Sequence, residues 1–326
     1  MIEGHGDDAY RYEGITSDFS TNICLPAHHH EALMAHLAGH PELIDHYPEP
    51  EPWSLEAKLA EMHGIDPSCV IVTSGATEAI YLIAQAFGYK AVIPAPTFSE
   101  YDDACACFKA TEDKTMLWLC NPNNPDGKVY DQAYIESKMR EYDLLVLDHS
   151  YERYTEAPLM QARRGCLEPR SIVIHSFTKT YAVPGLRLGY ITAHESLTAK
   201  MRRFLRPWSV SALAVEAGMF LLQHCELICQ PNLAEAQRLR RQLLAAGIEV
   251  MPTSTNFMLC SMEGLSAADL KCYLATKHKM LIRDASNFRG LTPQHFRIAA
   301  QSPSENDALV AALRIAVEAF RLCPSP

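Results

Sequence analysis

The chain has 326 residues, of which 48% are hydrophobic, and its formal net charge at pH 7 is -10. This length suits one large domain or a large and a small domain, and the hydrophobic share is sufficient for a sizeable core. The acidic balance argues against nucleic acid or an anionic membrane as the main partner. No apolar stretch approaches the length of a membrane span, and the acidic start over residues 1–8 does not resemble a signal peptide.

The 11 cysteines and one run of histidines raise the question of metal or disulfide chemistry. The close cysteine pairs lie in segments 105–107 and 225–229, and neither has the spacing of a zinc knuckle or a redox dithiol. We therefore expect reduced, mostly buried cysteines in a cytoplasmic protein. No carboxylate or cysteine ligand set accompanies the histidines at 28–30, so we interpret them as a solvated helix start and predict no metal site.

The first part of the chain is predicted to be an arm followed by helices. Residues 1–30 carry few helix or strand signals, and a helix is predicted over 31–37. The proline-rich segment 47–53 predicts a stiff loop. A second helix is predicted over 55–63, with Ser54 as its N-cap and a glycine as its stop.

Short apolar runs then alternate with helical segments. The predicted strands are 69–72, 91–93, 116–120, 144–147, 172–174 and 188–191. This alternation predicts an α/β fold with a mainly parallel sheet covered by helices on both faces. A polar motif follows nearly every run, and ligands of such sheets bind beyond the carboxyl ends of the strands. We therefore expect the motifs to meet in one crevice.

Beyond about residue 210 the pattern changes to a smaller α+β unit. Predicted helices lie at 212–224, 233–246, 267–277 and 306–322, and predicted strands at 247–250, 256–260, 280–283 and 295–299. The sequence thus predicts an N-terminal arm that belongs with the small domain (1–30), a large ligand-binding domain (31–210) and a small C-terminal domain (211–326).

Two segments have the features of a phosphate-binding site. The segment 74–77, Ser-Gly-Ala-Thr, lies where a strand meets a helix N-terminus, whose backbone N–H groups and dipole favour phosphate, although such turns also serve packing alone. Ser176, Thr178 and Lys179 follow another strand, with Arg187 further on. A lysine that reacts as a free amine needs a rigid, partly desolvated position. Alone, this second segment fits a solvated lysine at a strand–loop junction equally well.

Four further residues suit a pyridine ring. A carboxylate such as Asp148 keeps a pyridine nitrogen protonated. Tyr151 and Asn124 can reach a ring hydroxyl, and Phe98 offers a face for stacking. Each has an ordinary alternative, such as a capping aspartate, a turn asparagine or a core phenylalanine. Their joint occurrence, in this order before Lys179, favours a cofactor site.

On these residues the chain resembles the fold-type-I pyridoxal-phosphate enzymes of the class I/II aminotransferase superfamily over most of its length. The resemblance implies a seven-stranded, mainly parallel sheet in the large domain, with pyridoxal 5′-phosphate as cofactor. It implies catalytic roles for Lys179, which forms a Schiff base with the cofactor, for Asp148 and for Tyr151. The implied cofactor contacts are Gly75, Ala76, Thr77, Phe98, Asn124, Asp148, Tyr151, Ser176, Thr178, Lys179 and Arg187. Tyr47 matches a tyrosine that reaches the neighbouring subunit's cofactor, which implies a homodimer with shared active sites.

Within this superfamily the chain most resembles the L-threonine-O-3-phosphate decarboxylases of cobalamin biosynthesis and next the histidinol-phosphate aminotransferases. The segments 5–6, 18–23, 207–214 and 282–291 carry this resemblance. It implies decarboxylation of L-threonine O-3-phosphate to (R)-1-amino-2-propanol O-2-phosphate. The implied substrate contacts are His5, Asn22, Asn124, Arg283 for the phosphate and Arg297 for the α-carboxylate.

Two other functions stay open. An aminotransferase of histidinol phosphate or a related amino acid uses the same lysine and aspartate, and differs in which Cα bond stands perpendicular to the cofactor ring. A regulatory or scaffolding protein without catalysis is disfavoured, because Lys179 and Asp148 are intact and no basic N-terminal helix-turn-helix is present. The chain departs from the family pattern at Phe98, Asp126, His149, Ser150 and Ser211, which bears on the substrate rather than on the cofactor.

Overall fold

The computed structural model describes residues 8–23, 29–225 and 231–322. The strands of these ranges are β1 (Ser17–Asp18), β2 (Val70–Thr73), β3 (Lys90–Val92), β4 (Thr115–Cys120), β5 (Leu144–Asp148), β6 (Ser171–Ser176), β7 (Gly189–Ala193), β8 (Glu249–Val250), β9 (Phe257–Ser261), β10 (Met280–Leu281), β11 (Arg283–Asp284) and β12 (His295–Ala299). The helices are α1 (His30–Ala38), α2 (Trp53–His63), α3 (Gly75–Phe87), α4 (Glu100–Cys107), α5 (Gln132–Glu141), α6 (Ala162–Leu167), α7 (Phe177–Thr180), α8 (Glu195–Arg202), α9 (Ala212–His224), α10 (Leu233–Ala245), α11 (Ala267–Tyr273) and α12 (Pro303–Leu322).

The large sheet has six strands in the order β2-β7-β6-β5-β4-β3 within the described ranges. The β3/β4, β4/β5 and β5/β6 pairs are parallel, whereas β7 is antiparallel to both of its neighbours. This confirms the mainly parallel sheet. The implied count of seven strands is wrong for the described residues, because each of the six apolar runs of the sequence forms one strand and no further run joins them.

The sheet is buried on both faces, which explains the uninterrupted apolar runs. Along β5, Val146 packs in one cluster with Ile80 of α3, whereas Leu145 and Leu147 pack in another with Ile135 of α5. Each such side chain contributes about 1.5–3 kcal/mol when it is fully buried. The two faces together hold the strands in one register.

The two ends of α2 test the predicted capping. Gly64 ends α2 in the left-handed region at φ 63°, so the predicted stop is confirmed. The predicted N-cap at Ser54 is wrong, because α2 begins at Trp53. The Glu49 carboxylate caps the first turn instead, since it accepts hydrogen bonds from the Ser54 N–H and Oγ, each at 3.0 Å.

The C-terminal part contains a four-stranded antiparallel sheet in the order β11-β12-β9-β8. Its own core includes Phe296 and Ile298 of β12 with Leu309 and Leu313 of α12. The N-terminal arm joins it, because β1 pairs in parallel with β10. The domain boundaries at 30/31 and 210/211 stay a prediction. Across the described segments, every helix is too short or too polar to cross a lipid bilayer.

Candidate active site

A cavity of about 500 Å³ opens at the carboxyl ends of the central strands. The register brings these ends together, because Cys120 pairs with Asp148, and Ser176 pairs with Gly189 beside Thr73. The arm and the C-terminal sheet complete its wall. The predicted site residues that line it are Asn22, Ala76, Thr77, Phe98, Asn124, Asp148, Tyr151, Ser176, Thr178, Lys179, Arg187, Arg283 and Arg297.

Three predicted site residues are not in this lining. Gly75 directly precedes the lining residue Ala76 at the start of α3. His5 lies outside the described residues. Tyr47 is 84% exposed, and its ring centroid lies 5.3 Å from that of Trp208. Its predicted role in the neighbouring subunit's site stays a prediction.

Lys179 lies on α7, a single helical turn directly after β6. Its Nζ is 5.7 Å from the centroid of the Tyr151 ring. The Lys179 carbonyl accepts a hydrogen bond from the Tyr154 hydroxyl at 3.3 Å. The lysine is therefore half-buried on a short, supported element, as a reactive amine requires.

The loop after Lys179 is held by two histidines that the sequence analysis interpreted as solvated. His29 is buried, with its Nε2 2.7 Å from the Tyr181 carbonyl, and the His30 Nε2 is 2.8 Å from the Ala182 carbonyl. A carbonyl only accepts, so each Nε2 carries a proton and donates. The interpretation of a solvated start is wrong for His29, because the lysine loop covers it.

Asp148 is buried at the end of β5 and accepts two hydrogen bonds. Its Oδ2 lies 2.6 Å from the Tyr101 hydroxyl, and its Oδ1 lies 2.8 Å from the Ser150 N–H. Burial, and next the charge of Asp148, hold the pKa of Tyr101 well above its usual range. Tyr101 therefore remains a donor at every physiological pH. Sequence reasoning missed this residue, because it is one of several tyrosines and no spacing links it to the aspartate.

A hydrogen-bond network joins the arm, the large sheet and β12 across the cavity. Asn22 donates from Nδ2 to the Tyr151 hydroxyl at 3.3 Å. Arg297 donates from Nη1 to Asn124 Oδ1 at 2.5 Å and from Nη2 to the Ser20 carbonyl at 2.6 Å. Burial raises the pKa of Tyr151 to about 12, so its hydroxyl is neutral.

Arg283 and Arg297 face each other as a register pair of the antiparallel strands β11 and β12. Both are buried, and neither forms an ion pair with a carboxylate within the described ranges. Burial, and next the charge of Arg297, lower the pKa of Arg283 to about 10. Like charges opposite each other are destabilising, and desolvation adds to the cost. The Arg297 Nε has no hydrogen-bond partner among the described atoms. This arrangement suits an anionic ligand.

A second anion site forms where α3 begins. Gly75 has φ 83°, and a Cβ added there would lie 2.8 Å from the Arg187 Nη2. Within the described part of the chain, no carboxylate pairs with Arg187, whose Nη1 donates to the Pro184 carbonyl at 3.2 Å. Ala76, Thr77 and the hydroxyls of β6 and α7 line the same end of the cavity. A helix N-terminus, hydroxyls and a guanidinium form a donor set that fits a phosphate monoester.

The mixed sheet with a lysine, a carboxylate and an anion site at one edge defines the class of the protein as a fold-type-I transferase-like enzyme. A family model described as "Aminotransferase class I and II" matches residues 15–111 and 106–313. The chain belongs to this family.

The similar proteins include decarboxylases and aminotransferases. The chain is 30% identical to threonine-phosphate decarboxylase of Salmonella typhimurium, over 91% of this chain and 90% of that protein. It is 27% identical to histidinol-phosphate aminotransferase of Symbiobacterium thermophilum, over 83% of this chain and 82% of that protein.

Solved structures confirm the predicted fold. The structure of L-threonine-O-3-phosphate decarboxylase from Porphyromonas gingivalis matches with a TM-score of 0.87 and 34% identity, over 93% of this chain and 100% of that chain. Histidinol-phosphate aminotransferase from Sinorhizobium meliloti, in complex with pyridoxal-5′-phosphate, matches with a TM-score of 0.79 and 18% identity, over 94% of this chain and 92% of that chain.

Proposed function

We propose that this enzyme binds pyridoxal 5′-phosphate and decarboxylates L-threonine O-3-phosphate to (R)-1-amino-2-propanol O-2-phosphate. The observation that carries the substrate is the buried pair Arg283 and Arg297 in the same cavity as Lys179. The names of the relatives at 30% and 34% identity support the same substrate. A role in cobalamin biosynthesis in the cytoplasm is part of this proposal.

The donor set of the cavity fits the cofactor. Lys179 would hold its aldehyde carbon, Asp148 its ring nitrogen, and the anion site at Gly75 and Arg187 its phosphate. When bound, pyridoxal 5′-phosphate supplies an electron sink for the pair left on Cα when a substituent departs. The Tyr101 hydroxyl stabilises the negative charge of Asp148, which would keep a proton on the ring nitrogen of the cofactor.

The two arginines select a substrate with two anionic groups. Threonine phosphate carries a phosphate and an α-carboxylate, so it neutralises both guanidinium groups at once. Histidinol phosphate carries a phosphate and no carboxylate, and it would leave one buried charge unpaired, which is costly. Arg283 for the phosphate and Arg297 for the carboxylate follow the roles that the sequence implies.

The carbon that loses CO₂ needs a proton. Lys179 is the amine that lines the cavity, and its Nζ would donate this proton. Tyr151 is a neutral donor because its pKa is about 12, so it orients groups rather than removing protons. The C–CO₂ bond breaks, CO₂ leaves, and the Lys179 proton ends on the former Cα.

The direct test is CO₂ release from O-phospho-L-threonine with pyridoxal phosphate and without a keto acid. We expect release over many turnovers. Absence of CO₂ together with amino transfer to added 2-oxoglutarate would instead establish the second candidate, an aminotransferase. The 27% identity to a histidinol-phosphate aminotransferase favours keeping that candidate.

Replacing Lys179 with alanine tests the cofactor proposal separately. The variant should lose the visible absorbance of the lysine-bound cofactor and should lose about 10²–10⁴-fold in decarboxylation rate, the range for a positioned proton-transfer group. Lys200→Ala is the control, because its ammonium pairs with Glu112 at 3.6 Å on another surface. Unchanged absorbance of the Lys179 variant would contradict the attachment.

We also propose a homodimer with shared active sites. Tyr47 is highly exposed beside Trp208, which is 49% exposed, and such aromatic surface favours a protein contact. Light scattering should give about twice the chain mass of 36.4 kDa. Tyr47→Phe should preserve the dimer and weaken cofactor retention, whereas a monomer with full activity would contradict the proposal.

A further inference from the structure

Three potential metal ligands converge between α1 and α9, and none of them lines the active-site cavity. His36 lies on α1, His40 lies four residues further, and Glu216 lies on the facing helix α9. One ligand atom from each residue lies within 4.8 Å of the other two. The His36 Nε2 is 2.7 Å from the Glu216 Oε1, and both side chains are partly buried, at 24% and 32% exposure.

Hydrogen bonds orient this cluster for metal binding. The His40 Nδ1 lies 2.8 Å from the His36 carbonyl, which only accepts, so Nδ1 carries the proton and Nε2 keeps its lone pair. The His36 ring stacks on Phe220, with centroids 4.6 Å apart, which fixes its direction. Such outer partners set the tautomer and the orientation of metal-ligating histidines.

We propose that His36, His40 and Glu216 bind a divalent transition-metal ion, with zinc as the ion of choice. Two imidazoles and one carboxylate are a common zinc ligand set, with water in the fourth position. Bonds of about 2.0–2.2 Å place tetrahedral ligand atoms roughly 3.4 Å apart, so the three groups need only small shifts. The ion takes the place of the proton between the His36 Nε2 and Glu216, and the neutral His36 ring then carries its proton on Nδ1.

The position of the cluster gives the ion a structural role. His30 is the first residue of α1, and His29 precedes it. Both donate hydrogen bonds to backbone carbonyls of the loop after Lys179. The cluster lies at the other end of the same helix and joins it to α9. Bound metal would therefore fix α1 between α9 and the loop that follows Lys179, without entering the reaction.

This proposal departs from the sequence-based expectation of no metal site. The sequence concealed the site because Glu216 lies 180 residues beyond His36 in the chain. The histidine run at 28–30 instead includes His29 and His30, which hydrogen-bond to the loop after Lys179.

Zinc titration of the chelator-treated full-length protein, in competition with a chromophoric chelator, tests the site. We expect one site per chain that is weakened at least tenfold in His40→Gln and in Glu216→Gln. His46→Gln is the matched control, because His46 is a nearby exposed histidine. The zinc affinity of this control variant should equal that of the wild type. Added zinc should raise the melting temperature of the wild type and the control but not that of Glu216→Gln.

Equal zinc affinity in the wild type and in a His40→Gln/Glu216→Gln double variant would overturn the proposal, since the ion would then bind elsewhere. If a variant fails to fold, zinc-edge X-ray absorption of the wild type decides. A first shell of nitrogen and oxygen supports the site, whereas sulfur ligands from cysteine, or no bound zinc, contradict it.

Discussion

Among single residues, Tyr101 most directly stabilises the Asp148 carboxylate, because its hydroxyl donates a hydrogen bond to it. Tyr101→Phe removes the donor at 2.6 Å while it keeps the ring that stacks on Trp118. A hydrogen bond to a charged group contributes about 1.5–3 kcal/mol, so kcat/KM should fall by roughly 10- to 100-fold. Tyr142→Phe, near the end of α5, is the control. Steady-state kinetics of the two variants measure the difference, and equal values would contradict the role of Tyr101.

Arg283 offers a test in which activity and stability move separately. Arg283→Gln should lower kcat/KM for threonine phosphate by about 10²-fold or more, since loss of a buried charged contact costs about 2–5 kcal/mol. The same change removes one of two like charges that face each other, so the ligand-free variant should unfold no more easily than the wild type.

Kinetics and chemical denaturation of Arg283→Gln measure both quantities, with the exposed Arg241→Gln on α10 as control. A variant that loses stability but keeps its affinity for the substrate would show that Arg283 supports the fold and does not bind the phosphate.

The sequence identified the residues at the strand ends but not their partners. Lys179 and Asp148 stood out because their chemistry is specific and each follows an apolar run. Tyr101, and the bond from Arg297 to Asn124, could not be predicted, because 47 and 173 residues separate the bonded partners. Only the register of the sheet and the docking of β12 bring them together.

The helices α2 and α9 pack tightly against each other and against Leu188, the residue that precedes β7. A Cβ on Gly218 of α9 would lie 2.8 Å from the Leu188 Cδ2 and 2.9 Å from the Leu55 Cδ2. Gly218→Ala should therefore lower the free energy of unfolding by about 1–3 kcal/mol through overpacking. Gly185→Ala is the control, because an added Cβ there meets nothing within 4 Å. Denaturant titration compares the two, and an unaltered Gly218 variant would contradict the packing.

The bounds of helices and strands were predictable where the hydrophobic pattern is strongly periodic, and were not predictable where it is weak. The helix over 212–224 and the strand over 295–299 have the predicted bounds. The helix predicted over 267–277 instead ends at Tyr273 and continues as a π-helical turn over Leu274–His278. The reversed direction of β7 has no signature in its own residues, since it depends on where the preceding loop returns to the sheet.

For the whole molecule, the buried His149 and the partly buried His63 should make the fold less stable in weak acid. Burial lowers the pKa of His149 to about 4, and burial, followed by the charge of His175, lowers the pKa of His63 to about 4. In unfolded chains the value is about 6.5. The unfolded state therefore binds more protons between pH 6.5 and 4, and stability falls as pH drops through this window.

For fully buried His149 this loss is about 2 kcal/mol between pH 7 and pH 5. Denaturant unfolding at the two pH values should show a smaller difference in His149→Gln than in the wild type, with exposed His46→Gln as control. Equal pH dependence in all three proteins would mean that His149 is protonated in the folded state.

In the proposed reaction of the whole enzyme, a proton replaces the carboxylate on Cα. The most direct measurement is mass spectrometry and NMR of the reaction with O-phospho-L-threonine in D₂O, without a keto acid. We expect 1-amino-2-propanol O-2-phosphate that carries one deuterium on C1, formed over many turnovers. Recovered O-phospho-L-threonine with deuterium at Cα, and no decarboxylated product, would contradict it, because the enzyme would then break the Cα–H bond instead.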